Sequence, residues 1–262
     1  MRSRAGIVIA VAAIFLGACA GQGNDRVVVA AGTTLVDSGF IELVAAAYET
    51  EIEGVDVAVV ALSSAEAFAY ADAGNADVAI THEPQQLATF LATHPRSVSY
   101  VPFASEFVLV GPSTSAGEAE SVVEAFAQVA ESGSPFVSRN DGSGTHAREQ
   151  TIWAAVPYVP GAAEWYTRTG SGMASTLLIA SQRSAVTLAE RGAYLAVSGD
   201  LSLDEIPLEN RSMLGNPYDL TVVDADEPLS MAFAEWMKGS DGRSAIEQAN
   251  QQLFGTQVYR VP

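Results

Sequence analysis

Arg139 precedes a glycine-punctuated run of hydroxyls in Pro135-Phe-Val-Ser-Arg-Asn-Asp-Gly-Ser-Gly-Thr-His146, with Ser143 and Thr145 the two hydroxyl residues of that run. Gly142 and Gly144 let the backbone turn tightly and approach a ligand. The first N–H groups of a following helix have no partner within it and carry the positive end of the helix dipole. Together with one guanidinium they form a receptor for a small tetrahedral or carboxylate anion. Gly-Ser-Gly-Thr by itself is also an ordinary surface turn followed by an N-cap; Arg139 at this spacing favours the anion reading.

Such a cradle needs a strand to deliver it and a helix to follow it, and the chain has that rhythm. Val27–Ala31 reads as a short apolar strand, Gly32–Gly39 as a turn, and Phe40, Leu43, Val44 and Ala47 as the apolar face of a helix. Val55–Ala61 is a second strand. Ser63-Ser-Ala-Glu66 is a capping-box pattern, with Ser63 as N-cap, opening a helix that ends at Gly74. Ala76–Ile80 is a third strand. Apolar strands alternating with helices imply a parallel sheet covered on both faces, with ligands beyond the carboxyl ends of the strands. Glu106–Pro112 reads as a strand leaving the first unit, and Pro135–Ser138 as a strand of the second, followed by a helix through Trp153. Gly170-Ser-Gly-Met-Ala-Ser-Thr176 repeats the theme of glycines, a hydroxyl and a bare helix start. Asn216–Val223 reads as a return strand, and Pro228–Lys238 and Gly242–Gln252 as helices packing back on the first unit. Two crossings between two α/β lobes describe a hinged clam-shell.

The N-terminus suggests an address. Met1-Arg-Ser-Arg4 is a basic n-region, and Ala5–Leu16 is apolar but too short to span a bilayer as a mature helix. Leu16-Gly-Ala-Cys19 looks like a lipobox, which predicts cleavage before Cys19, lipidation of that residue, and an exported, anchored protein. Cys19 is the single cysteine, so no intrachain disulfide or cysteine-based metal site can form. The formal net charge is −18, with Lys238 the single lysine, which disfavours nucleic acid and anionic membranes. This global field also opposes an anionic ligand, so binding has to rest on local, desolvated donors. Only 17% of residues are charged and 48% are apolar, so sizeable cores can be buried.

Ala30-Ala-Gly-Thr-Thr-Leu-Val-Asp-Ser-Gly39, Phe107–Pro112, Ser138–His146, Gly170–Ala180, Thr187–Leu195 and Asn216-Pro-Tyr218 resemble, in order, blocks of the tungstate-binding lipoproteins of tungstate ABC importers. The resemblance covers essentially the whole mature chain. It implies an α/β, two-lobed type II periplasmic-binding-protein fold with a two-crossing hinge. The expected division is a signal peptide over 1–18, a flexible tether over 19–26, lobe 1 over 27–105, lobe 2 over 106–217, and a return strand and C-terminal helices over 218–262. It implies capture of tungstate or molybdate between the lobes, no cofactor, a monomer, and delivery to a membrane permease. The family's Thr-Thr-Thr-Ser motif falls on Ala31-Gly-Thr-Thr34, so Thr33 and Thr34 inherit donor roles and two hydroxyls are missing. Ser64, with Ser63 beside it, matches a serine after the second strand. Arg139, Ser143 and Thr145 come from the second lobe, with the backbone of Gly172 and Met173 at the second bare helix start.

Arg139-Asn-Asp141 also resembles the signature of phosphate-binding proteins, where the acidic residue pairs with the arginine; phosphate is therefore the alternative ligand. Ser143 with His146 raises a hydrolase, but Asp141-Gly-Ser-Gly-Thr145 is not the Gly-x-Ser-x-Gly elbow. His82 reads as a structural histidine or a lobe-closing one. No His/Glu/Asp spacing resembles a metal site. A ligand-sensing lipoprotein has the same composition as a transport component and stays open.

Overall fold

The computed structural model describes residues 25–113, 119–158 and 160–262. The signal peptide, Cys19 and the tether as far as residue 24 lie outside the described residues. Asp25 and Arg26, read above as the end of the tether, already pair with Val55 and Asp56 in the first strand.

The first half of the chain runs β1 (Asp25–Gly32), α1 (Thr33–Asp37), α2 (Phe40–Glu51), β2 (Val55–Leu62), α3 (Ser64–Asp72), β3 (Val78–Thr81), α4 (Pro84–Thr93) and β4 (Val98–Gly111). There follow α5 (Val122–Ser132), β5 (Phe136–Ser138), α6 (Gly144–Ala154), β6 (Tyr166–Arg168), α7 (Met173–Arg183), β7 (Thr187–Glu190), α8 (Arg191–Val197) and β8 (Asp204–Glu205). The chain returns through β9 (Gly215–Val222), α9 (Pro228–Lys238) and α10 (Ser240–Phe254).

The segment read as a turn after β1 is a short helix, α1, entered from Gly32. This places Thr33 and Thr34 on its first turn. On α2 the buried side chains are Phe40, Ile41, Val44, Ala45 and Tyr48, while the expected Leu43 and Ala47 pack only partly against the core. The stripe is rotated because α2 lies between the sheet and α10.

The first three strands form the expected parallel arrangement, but the sheet they belong to is mixed. β1 pairs in parallel with β2 and β3, but β9 runs antiparallel between β3 and β4. β4 starts eight residues before the expected Glu106 and is 14 residues long. Its first part pairs with β9, and its second part pairs antiparallel with β7 and β8. β4 therefore runs in the same direction as β1, β2 and β3, and β9, the other strand that joins the halves of the molecule, runs against them; alternation of strands and helices carries no sign of that reversal.

Four groups of buried side chains result, the two largest of them centred one in each half. Around β1, β3 and β9, residues such as Phe40, Tyr48, Phe103, Tyr218, Phe233, Trp236, Ile246 and Tyr259 pack together, so α9 and α10 do return to the first half. Around the second part of β4 and β5, the centre is Phe107, Phe126, Phe136, Trp153 and Leu188. Asn250 fastens the C-terminal segment to α10, donating to Tyr259 O at 2.7 Å and accepting from Val258 N and Tyr259 N. Among the described residues no helix is long and apolar enough to cross a membrane.

Candidate functional site

The carboxyl ends of β1, β2, β3 and β5 point to one region. β1 ends at Gly32 opposite Leu62 of β2, and Ala31 lies opposite Ile80 of β3, so Thr33, Ser63 and Thr81 follow or end adjacent strands. From the other half, β5 ends at Ser138 and the Arg139 loop enters α6 at Gly144. α1 touches α7, and Arg139 Nη2 lies 3.4 Å from Thr33 Oγ1, so the two halves meet here.

The loop that presents Arg139 uses two residues in the left-handed region, Asn140 (φ 48°) and Gly142 (φ 74°). Asparagine and glycine are the residues that adopt it at least cost. Asp141 holds the loop together. Its Oδ2 accepts from Arg139 Nε at 3.0 Å and Nη2 at 2.6 Å, and its Oδ1 accepts from Ser143 N at 3.1 Å. Burial pushes this carboxyl up, but Arg139 and the bonds from Ser143 outweigh burial and keep it below the ordinary range. Both oxygens thus face protein donors. Arg139 is itself only 2% exposed, and its Nη1 has no hydrogen-bond partner.

Unpartnered donors are unusual in a protein interior, because each costs about 1–3 kcal/mol. Five stand at these strand and helix ends: Arg139 Nη1, Ser64 Oγ, Thr145 Oγ1, Thr81 Oγ1 and Ser138 Oγ. Ser64 and Thr145 sit in the first turns of α3 and α6 and are buried. Thr81 escaped the sequence reading, which ended the third strand at Ile80. The signal was its place directly after the last apolar residue of a buried strand. It lies on the face of β3 shared with Ala79, towards α3, whereas Val78 and Ile80 face the other core.

The remaining expected residues have other partners. The Ser63 hydroxyl donates to Glu66 Oε2 at 2.8 Å and accepts from Glu66 N, completing the capping box, so its one proton is already given to Glu66. Ser143 caps α6 by accepting from His146 N at 3.4 Å, and its part is in the loop. Thr34 Oγ1 is 3.1 Å from Tyr218 Oη. Gly172 and Met173 open α7, whose first turn has no side-chain cap. His146 Nδ1 accepts from Gly142 N at 3.1 Å, so that nitrogen is not a base for Ser143.

His82 stands between the halves. Its Nδ1 is 2.8 Å from Asn216 Oδ1, and its ring stacks on Tyr218 with centroids 5.0 Å apart. Loss of solvent, reinforced by Arg139 and Arg148 and opposed by the Asn216 bond, lowers its pKa to about 4. Among the described residues no group of three or more His, Cys, Asp or Glu side chains could hold a metal ion. The arrangement can receive a small anion through neutral hydroxyls and a single guanidinium whose charge is balanced by Asp141.

Residues 20–241 match the family model described as a PBP superfamily domain. The chain is 28% identical to the tungstate-binding protein TupA of Peptoclostridium acidaminophilum, over 91% of this chain and 86% of that one. It is 32% identical to a protein of Haloferax volcanii named as an ABC transporter anion-binding protein, over 93% of this chain and 74% of that one. Among solved structures, the tungstate ABC transporter protein of Geobacter sulfurreducens superposes with a TM-score of 0.76 at 28% identity, covering 85% of this chain and 98% of that one.

Proposed function

The chain belongs to the PBP superfamily, and we propose that it is the extracytoplasmic solute-binding component of an ABC importer that captures tungstate or molybdate between two lobes. The observation behind this reading is the set of buried, unpartnered donors, Ser64 Oγ, Thr145 Oγ1 and Arg139 Nη1, contributed from both halves to the ends of facing helices. The lobes are 27–105 with 218–262 and 106–217, hinged on β4 and β9. Relatives named for tungstate and anion binding support the ligand class and a permease partner. We further propose that Cys19 is lipidated after removal of 1–18, that the protein acts as a monomer, and that it is not an enzyme.

The chemistry of the donors suits a dianion without a proton. Tungstate and molybdate are fully ionised near neutral pH, whereas hydrogen phosphate has a proton that needs an acceptor. The nearest carboxylate, Asp141, has both oxygens bonded to Arg139 and Ser143. Phosphate is the second reading because that same pair resembles the phosphate-binding signature. Neutral donors contribute on the order of 1 kcal/mol each and charged ones roughly 1.5–3 kcal/mol. Seven or eight such bonds, one of them from the guanidinium, sum to roughly 8–10 kcal/mol, between micromolar and nanomolar affinity.

The test is a competition titration of the purified protein with tungstate, molybdate, sulfate and phosphate. Tungstate or molybdate is expected to displace the others; phosphate winning overturns the assignment. Arg139→Ala is expected to weaken tungstate roughly 10- to 150-fold, the equivalent of a charged hydrogen bond. His146→Ala should stay within about threefold, since it loses only a neutral bond to Gly142 N. Equal affinity of the two variants would remove Arg139 from the site.

A further inference from the structure

Gly144 is a glycine with no conformational reason to be one. Its φ lies outside the left-handed region, unlike Gly142 two residues earlier. What forbids a side chain there is space: a Cβ on Gly144 would stand 2.6 Å from both Cε1 and Nε2 of His82 and 2.9 Å from Cδ2. Carbon atoms in packed interiors rest near 3.5–4.0 Å, so one of the two must move. The first turn of α6 therefore has a notch, and the ring that fills it comes from the other lobe.

That ring is held on every other side. Asn216 Nδ2 donates to Ser105 Oγ at 3.2 Å, which leaves Oδ1 facing His82, so Nδ1 carries the proton and Nε2 the lone pair. Ser105 donates in turn to Glu190 Oε1 at 2.6 Å. Ser105 and Asn216 are direct partners on β4 and β9, the strands that cross between the lobes. Tyr218 and Phe107 stack on the imidazole at 5.0 and 6.0 Å. His82 is thus fixed to the crossing strands and abuts the helix start that presents Thr145.

We propose that His82, seated against Gly144, is a positioning residue that sets how closely the two lobes approach and thereby which size of oxyanion the site accepts. The proposal rests on the reading above that an oxyanion binds between the lobes. A ring that stops α6 at a set distance from β3 also sets the distance from Ser64 and Thr81 to Thr145 and Arg139. Burial and the neighbouring Arg139 and Arg148 keep the imidazole neutral, so the contact adds no positive charge at the positive end of α6.

The experiment measures tungstate and sulfate affinity of the wild type, Gly144→Ala, His82→Ala and the double variant, with thermal unfolding of each without anion. In Gly144→Ala the methyl holds the lobes apart, and tungstate affinity is expected to fall about 5- to 150-fold, the range of an overpacked contact. Unfolding without anion should stay at the wild-type temperature. Adding His82→Ala to Gly144→Ala should restore affinity to within about threefold of His82→Ala alone, because the clash has lost one partner. His82→Ala should also bring sulfate closer to tungstate in affinity, since the lobes can then close on the smaller ion. Wild-type affinity in Gly144→Ala, no rescue in the double variant, or an unchanged sulfate-to-tungstate ratio would each overturn the proposal. A drop in anion-free unfolding temperature for Gly144→Ala would do so as well. If the wild type binds neither these anions nor molybdate or phosphate, the site reading itself fails, and that outcome is distinct from all of these.

Discussion

Glu149 lies in α6 beneath the anion-facing loop, 2% exposed, and accepts from Tyr166 Oη at 2.5 Å and Trp153 Nε1 at 3.1 Å through the same oxygen. Burial raises its pKa to about 7, against the lowering effect of bonds from Tyr166 and Trp153 and the charge of Arg168. A carboxyl raised from 4.5 to about 7 on folding favours the folded state when protonated. That stabilisation is fully present below pH 4.5 and is lost as pH rises through 7. Glu149→Gln keeps the accepting oxygen and cannot ionise. It should match the wild type at pH 5 and be more stable at pH 8, on the order of 1 kcal/mol per pH unit of the shift. Denaturant midpoints at the two pH values check this; a constant difference would place the titration elsewhere. At this scale the sequence was informative wherever a residue's role is local. Arg139, Ser64 and Thr145 could be named as candidates from their motif and the family likeness, and the pairing of Asp141 with Arg139 was suggested by the phosphate-binding signature, in which the acidic residue stands two places after the arginine. Thr81 and the seat of His82 could not, because each depends on the register of β3 and on a helix from the other half of the chain.

Helix starts separate the two adjacent serines of α3. Ser63 is the N-cap, with a reciprocal bond from its own N–H to Glu66 at 3.0 Å, whereas Ser64 on the first turn has an unpartnered hydroxyl. Ser63→Ala should cost about 1 kcal/mol, the usual loss of a cap, and lower the unfolding temperature by roughly 2–4 °C with little change in tungstate affinity. Ser64→Ala should show the reverse: unchanged or slightly raised stability, because a buried unpaired hydroxyl is removed, and roughly tenfold weaker binding. Calorimetry paired with thermal melts separates the two, and a loss of affinity in Ser63→Ala alone would reverse their assignment. The capping box was legible because it is a four-residue pattern. α9 was read with its bounds intact, since Pro228 starts it and Gly239 ends it. α1 was read as a turn because five residues hold too little periodicity to register. The direction of β9 was not legible for a different reason: pairing direction belongs to two strands and is written in neither.

Across the whole molecule, a net charge of −18 surrounds a site whose one guanidinium is balanced by Asp141. The long-range field therefore repels a dianion, against the short-range donors proposed to hold it. Raising the ionic strength from about 0.01 M to about 1 M shortens the screening length from roughly 30 Å to 3 Å. The association rate constant for tungstate should rise over that range in stopped-flow measurements. A fall would mean that a local positive field steers the anion, contrary to the pairing of Arg139 with Asp141. The sequence alone determined the charge, the alternation of strand and helix, the glycine-rich helix starts and the family likeness, since these rest on composition or on neighbours within a few positions. Tertiary structure alone decided that the sheet is mixed, that β9 runs against β3 and β4, and that Ser64, Thr81, Ser138, Arg139 and Thr145 leave donors without partners at these strand and helix ends. It also decided that an imidazole from residue 82 fills the space a side chain at residue 144 would need. These are distances between parts of the chain far apart in sequence, and they exist only once the cores are packed.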